Sequence, residues 1–212
     1  MVWGNYIYDS SITAWRNVNT DTGIGTLNAM GLKNVVPTSI SVGSGSATTN
    51  ANGTVTFSGA TSISLNDIFS STYTNYQFNL VLTSASVADA DVRARLRLSG
   101  TDASSSYYEG GTLQGAAVLS AVNNLNITNW DLGRTHSATD PNAHASISFK
   151  VFQPSQARPT TYHTESISWN NSNIVTFRFS GFHTTLTSYT GITIFPGSGT
   201  FGGTLSVYGY SN

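Results

Sequence analysis

Between residues 75 and 100 the chain carries two runs in which every second residue is apolar: Tyr76, Phe78, Leu80 and Leu82 in the first, and Val92, Ala94, Leu96 and Leu98 in the second. A period of two sends alternate side chains to opposite faces of an extended chain, so each run predicts a strand with one buried face. Gln77, Asn79, Val81 and Thr83 fill the other face of the first run, and Arg93, Arg95, Arg97 and Ser99 that of the second. The polar residues 84–91 between them are too many for a two-residue turn. They predict a long-looped antiparallel pair whose apolar face starts the core.

The same pattern recurs, more weakly, along the rest of the chain. Ile40 and Val42 precede the turn Gly43-Ser44-Gly45-Ser46, and Val55 with Phe57 and Ile63 with Leu65 predict two short strands. Asn66-Asp67-Ile68-Phe69 has a capping residue before two apolar ones and predicts a helical turn. Further strands are expected at 116–122, at 126–132 around Trp130, and where Ala145, Ile147, Phe149 and Val151 alternate with Ser146, Ser148 and Lys150. Runs at 162–169, 174–182, 191–195 and 203–210 complete the set. About ten short strands separated by Gly, Pro and Asn turns, with no helix-length period, predict an all-β fold: an antiparallel two-sheet sandwich, jelly-roll-like.

Residues 1–35 differ from this. Tyr6-Ile7-Tyr8 and the segment 12–18 around Trp15 flank a turn cluster and predict a small hairpin, while 21–32 carries Gly23, Gly25 and Gly31 without a period. A lone hairpin rich in aromatics needs cover, either from the main domain or from a partner. The expected organisation is therefore an N-terminal docking arm at 1–35, with Trp3, Tyr6, Tyr8 and Trp15 as its candidate contacts, and a sandwich domain at 36–212.

Composition narrows the chemistry. Only 9% of the 212 residues are charged, nine basic against ten acidic, for a net charge of -1. Ser, Thr, Asn and Gly hold the polar positions, so the surface is one of hydroxyls and amides. Such a chain has no field to hold nucleic acid or an acidic membrane, and no stretch is long enough to cross a bilayer. The first six residues lack the basic region and apolar core of a secretory signal, so the sequons at Asn52, Asn126 and Asn170 carry no weight. With no cysteine, disulfides and thiolate sites are excluded.

Reactive groups do not converge. Residues 197–202, Gly-Ser-Gly-Thr-Phe-Gly, match the dinucleotide fingerprint, but a strand pattern follows where the fingerprint requires a helix N-terminus. A glycine-rich hairpin turn is the better reading. His136, His144, His163 and His183 lack metal-ligand spacing, there is no Gly-x-Ser-x-Gly elbow, and no metal or cofactor is expected. Asp102, Glu109, Asp131 and Asp140 fall in candidate loops where paired carboxylates could meet, though loop carboxylates are usually solvated turn residues; the chain is read as non-enzymatic. Arg93, Arg95 and Arg97 project from one strand face. They either pair with nearby carboxylates or face a subunit interface.

Several stretches resemble the β-sandwich domains of tailed-bacteriophage virion proteins, above all tail-fibre and appendage proteins. They are Thr-Val-Thr-Phe-Ser-Gly at 54–59, Ser-Ile-Ser-Leu-Asn-Asp-Ile-Phe at 62–69, Tyr-Thr-Asn-Tyr at 73–76, Arg95-Leu96-Arg97, and Gly-Thr-Leu-Ser-Val-Tyr-Gly-Tyr at 203–210. Tyr8-Asp9-Ser10-Ser11 with Trp15 is similar to hairpins of phage fibres. The long shaft and the His-x-His iron site of some fibres are absent, which favours a short fibre tip or a capsid decoration protein. The resemblance implies a homotrimer in the virion, made in the host cytoplasm, joined to other virion proteins through the N-terminal arm and contacting host surface glycan through C-terminal loops. Glycan contact would use rings stacked on sugar faces, with Tyr107, Tyr108, Trp130 and Trp169 as candidates beside Glu109, although large aromatics also dominate cores. The expected function is host attachment as a tail-fibre or receptor-binding protein; the alternatives are a capsid decoration or head-fibre protein and, third, a glycan-active enzyme.

Overall fold

The computed structural model describes the backbone at residues 2–3, 6–9, 14–17, 31–115, 118–136, 138–140, 143–170 and 173–211, and side chains only from residue 31 onward. The described residues form nineteen strands and no helix.

Two antiparallel sheets make a sandwich. The broad sheet has ten strands in the order β13 (Val118–Ile127), β12 (Tyr107–Gly115), β17 (Asn173–His183), β16 (Thr160–Asn170), β15 (Ala145–Phe152), β9 (Asn75–Ala85), β19 (Phe201–Tyr210), β7 (Val55–Ala60) and β6 (Ser46–Thr49), with β4 (Lys33–Asn34) also on β19. The narrow sheet has six: β11 (Thr101–Asp102), β10 (Asp91–Leu98), β18 (Gly191–Pro196), β8 (Ile63–Asn66) and β5 (Ser39–Val42), with β14 (Trp130–Arg134) beside β10. The chain passes repeatedly from one sheet to the other, as in a jelly roll.

The central pair is present as two strands but not as a pair. The predicted alternation holds for Tyr76, Phe78, Leu80 and Leu82, buried on β9, and for Val92, Ala94 and Leu96, buried on β10, whereas Leu98, expected on the same apolar face, is 39% exposed at the end of its strand. Their backbone partners differ: β9 lies between β15 and β19, whereas β10 pairs with β18 on one side and with β11 and β14 on the other. Residues 86–90 carry the chain across the sandwich, where the Ser86 amide donates to the Thr200 carbonyl (2.9 Å). The two apolar faces thus meet through the core. Alternation fixes which face is buried; it does not choose the neighbouring strand.

The core is built on these faces. Phe78 of β9 is in register with Phe149 of β15, and their rings stack at 4.4 Å, nearly parallel at 3°. Each such buried side chain stabilises the fold by about 1.5–3 kcal/mol relative to exposure. Phe57 and Phe201 close the β7–β19 end with centroids 4.9 Å apart. Where β19 bulges against β9, a side chain at Gly203 would come within 2.0 Å of the Val81 carbonyl oxygen, so only glycine fits that approach.

Three local expectations change. Asn66 ends β8, and Asp67 turns the chain with φ 55°, so no helical turn forms; Ile68 and Phe69 are nevertheless buried and cap the core. The glycine-rich residues 197–200 lead into β19, which excludes a dinucleotide site, but they join β18 of one sheet to β19 of the other instead of closing a hairpin. The N-terminal hairpin is extended to three strands, β1 (Val2–Trp3), β2 (Tyr6–Asp9) and β3 (Ala14–Asn17), which form a sheet of their own. Trp3, Tyr6, Tyr8 and Trp15 lie on these strands; their side chains are outside the described residues. Lys33 and Asn34, short of the expected boundary at 35/36, already pair with Gly209 and Tyr208 of the broad sheet.

Candidate functional site

Three of the sequence-predicted ligand contacts are core residues. Tyr107 and Trp130 have no exposed surface, and Glu109 retains 3%. The Trp130 indole stacks on Tyr162 (4.5 Å, 20°) and meets Tyr107 edge-on (5.2 Å, 85°). The Tyr107 hydroxyl accepts from the Leu96 amide (2.8 Å) and donates to the Ala103 carbonyl (3.2 Å), so its polar end is satisfied inside the sandwich. Rings of this size bury most area between the sheets, and a ring used there is not offered to a ligand.

Glu109 is the acceptor at the centre of a buried network. Its carboxyl accepts from Asn124 Nδ2 (2.9 Å), from the Asp131 amide (2.8 Å) and from the Tyr162 hydroxyl (2.7 Å). These bonds tie β12, β13, β14 and β16 together. Asp131 lies alongside, with Arg93 Nε at 3.3 Å. Of the four carboxylates considered for catalysis, Glu109 and Asp131 do meet, but within the fold. Asp102 accepts from Thr193 Oγ1 (2.7 Å) and pairs with Arg97, and Asp140 accepts from Trp169 Nε1 (3.1 Å).

Burial, with the Glu109 carboxyl next and that of Asp91 after it, pushes the Asp131 carboxyl up to about 7 despite Arg93 and Arg134. The folded chain therefore keeps this proton between the ordinary carboxylate range and about pH 7, whereas the unfolded chain has released it. The contribution of this group to stability is fullest at the acid end of that window and declines as pH rises through it. Asp131→Asn is expected to flatten that decline: the difference in urea midpoint between variant and wild type should grow in favour of the variant from pH 4.5 to pH 7.5.

The arginine row is engaged within the chain. Arg93 pairs with Asp91 (2.8 Å) and Asp131, Arg97 with Asp102 while also donating to Asn66 Oδ1 (2.9 Å), and Arg95 donates to the Thr128 carbonyl (3.0 Å) and lies over the Phe195 ring (4.8 Å). Arg134 joins the set through Asp91 at 3.0 Å. As a group they brace β10 against its neighbours; of the interface candidates, Arg93 and Arg97 have their carboxylates in cis, and Arg95 has a carbonyl and a ring.

Two predicted aromatics remain at the surface. Tyr108 follows Tyr107 along β12 and so takes the opposite face, where its ring stacks on Phe182 (5.3 Å, 11°), itself 44% exposed. Trp169 is 39% exposed beside Ile174, its register partner. Neither lines the depression that opens on the broad sheet.

That depression is a cleft of about 840 Å³ on the outer face of the broad sheet. It arises where strand register aligns short polar side chains. Thr112, Arg178, Glu165, Ser148 and Asn79 form one row across β12, β17, β16, β15 and β9; Gln114, Thr176, Ile167, Ser146 and Val81 form the next. The serines, threonines and Asn79 leave the space, and Glu165, Arg178, Ile167, Gln114 and Leu119 line it beside them. Arg178 and Glu165 face each other at 3.7 Å with side chains 74% and 56% exposed, a solvated pair of little energetic weight. Ser148 Oγ and Gln77 Nε2 both donate to Asn79 Oδ1 (3.3 Å each). Chemically this is a surface of hydroxyl and amide groups bordered by aliphatic side chains, able to donate and accept along its length. None of its residues was among the sequence-predicted contacts, because only the register places them together.

No protein-family model matches this chain, and no curated protein does. Among solved structures, domain 4 of AbnA, a GH43 extracellular arabinanase from Geobacillus stearothermophilus, in complex with arabinotriose, is similar at a TM-score of 0.33 and 13% identity over 81% of this chain and 82% of that one. At that level the likeness bears on no residue of the cleft.

Proposed function

We propose that this chain is a non-enzymatic bacteriophage virion protein of the tail-fibre or receptor-binding type, which holds a host surface glycan in the cleft of its broad sheet. The observation that carries the glycan part is the lining: Asn79, Ser146, Ser148, Thr112, Gln114 and Thr176 present hydroxyls and amides beside Val81, Ile167 and Leu119. Sugars offer the same mixture, hydroxyls around the ring edge and C–H groups on its faces, and concave sites with a few placed polar groups are where small ligands bind. The virion part rests on the sequence resemblance, which also supplies the trimeric assembly and the use of residues 1–35 to dock on other virion proteins. A surface with so few charges retains its stability when salt varies, as a particle outside the cell requires.

The test is competition. Recombinant protein should bind host cells and block adsorption of the phage. Thr176→Trp, which fills the cleft from β17, should lose both effects while unfolding at the wild-type urea midpoint within about 0.5 kcal/mol of stability, the usual range for a surface change. Wild-type protein that neither binds cells nor blocks adsorption would remove the receptor-binding reading.

A further inference from the structure

A second, smaller depression of about 310 Å³ lies against the first, lined by Gln77, Ser148, Lys150, His163 and Glu165. Ser148 and Glu165 line both, so the two form one continuous groove across β9, β15 and β16. Its two ends differ in chemistry. The Gln114–Thr176–Ser146 end is neutral. The other end carries Lys150 on β15, His163 and Glu165 on β16, and Arg178 on β17.

The charges there do not balance. Glu165 is the carboxylate of this end, and it lies 3.7 Å from Arg178 and 3.8 Å from His163. Lys150 has no carboxylate within salt-bridge distance among the described residues, although its register partners are Gln77 and His163. In a chain with a net charge of -1, two cations against one carboxylate give this end of the groove a local positive excess. A lysine on a half-buried strand position is a point charge on a flexible stem, which reaches a carboxylate without demanding a planar, bidentate approach.

Resting on the glycan reading of the cleft, we propose that the ligand is an oligosaccharide bearing carboxylate sugars of the uronic or sialic acid type, oriented with an acidic residue at Lys150 and neutral residues towards Thr176. Gln77 and Ser148 flank the lysine and supply hydrogen bonds to the hydroxyls of the same sugar. Lys150 is then the residue that sets direction and selectivity, and Arg178 adds a longer-range attraction that falls with added salt.

The probes are a panel of uronate- and sialate-bearing oligosaccharides, each paired with its carboxyl-reduced counterpart, titrated against the full chain by calorimetry. At least one acidic member should bind, with its reduced partner about tenfold weaker, the worth of one charge-assisted contact. Lys150→Met should bring the two to within about twofold of each other, and Ser146→Trp, at the neutral end, should abolish binding of both while the chain stays folded by circular dichroism. Equal binding of acidic and reduced forms, or a Lys150→Met variant that keeps the preference, overturns the assignment of Lys150. If only neutral members bind, the glycan reading stands and the acidic one falls. If no member binds while the protein still binds host cells, the acidic reading falls alone; if it binds neither the panel nor the cells, both fall.

Discussion

Trp130→Ala should destabilise the chain by about 3–5 kcal/mol, the range for removing a large buried aromatic, and should leave glycan binding by the folded protein unchanged. Trp130 has no exposed surface and sits between Tyr162 and Tyr107, so its removal leaves a cavity where β14 crosses the inner face of β16. The two rings against it belong to different strands, β12 and β16, and are held by their own hydroxyl hydrogen bonds, so they cannot both move to fill it. Trp130→Phe should cost clearly less, since a ring remains and the indole Nε1, which has no hydrogen-bond partner, is no longer buried. Urea unfolding at fixed pH gives both values. A Trp130→Ala chain of wild-type stability that had lost its ligand would make the residue a contact instead of core.

Glu109→Ala should cost about 3 kcal/mol, because it strands one buried and two part-buried donors at once and each unsatisfied buried group costs about 1–3 kcal/mol. The donors are Asn124 Nδ2, the Asp131 amide and the Tyr162 hydroxyl. Glu109→Gln keeps the volume but turns an NH2 group toward donors, so it should fall between wild type and alanine. The loss should appear in the urea midpoint and not in the affinity of the folded protein for glycan. An effect confined to binding or turnover, with stability unchanged, would return Glu109 to the list of functional groups.

The faces of the strands were legible in the sequence; their neighbours were not. Tyr76, Phe78, Leu80 and Leu82 announce a buried face by spacing alone, and so do Ala145, Ile147, Phe149 and Val151. The same rule, applied to Trp130-Asp131-Leu132, places Trp130 and Leu132 on one face and was a usable signal that Trp130 is core. Likewise Tyr107 and Tyr108 are consecutive on a strand, so one must point inward and the other out. What spacing cannot supply is pairing. The eight residues between the two central runs suggested a hairpin, yet β9 and β10 lie in different sheets, because a loop of that length can also cross a sandwich. The cleft was hidden for the same reason. Asn79, Ser148, Glu165 and Arg178 are ordinary outward-facing positions on β9, β15, β16 and β17, and they become neighbours only through a register spanning about a hundred residues of sequence. Glu109 was misplaced because a carboxylate near a polar loop reads as solvated; its three donors come from residues 124, 131 and 162, which no local pattern connects.

The most direct measurement is backbone amide chemical-shift mapping of the intact chain during titration with the surface oligosaccharide that wild-type protein binds. The expected result is a contiguous set of shifts along Asn79, Ser146, Ser148, Glu165, Thr176 and Arg178, with the amides around Glu109 and Trp130 unmoved. Shifts gathered instead on the outer face of the narrow sheet around Arg95 and Thr193, or centred on Glu109 with turnover of the sugar, would contradict the assignment of the broad sheet as the binding face and of the buried carboxyls as structural.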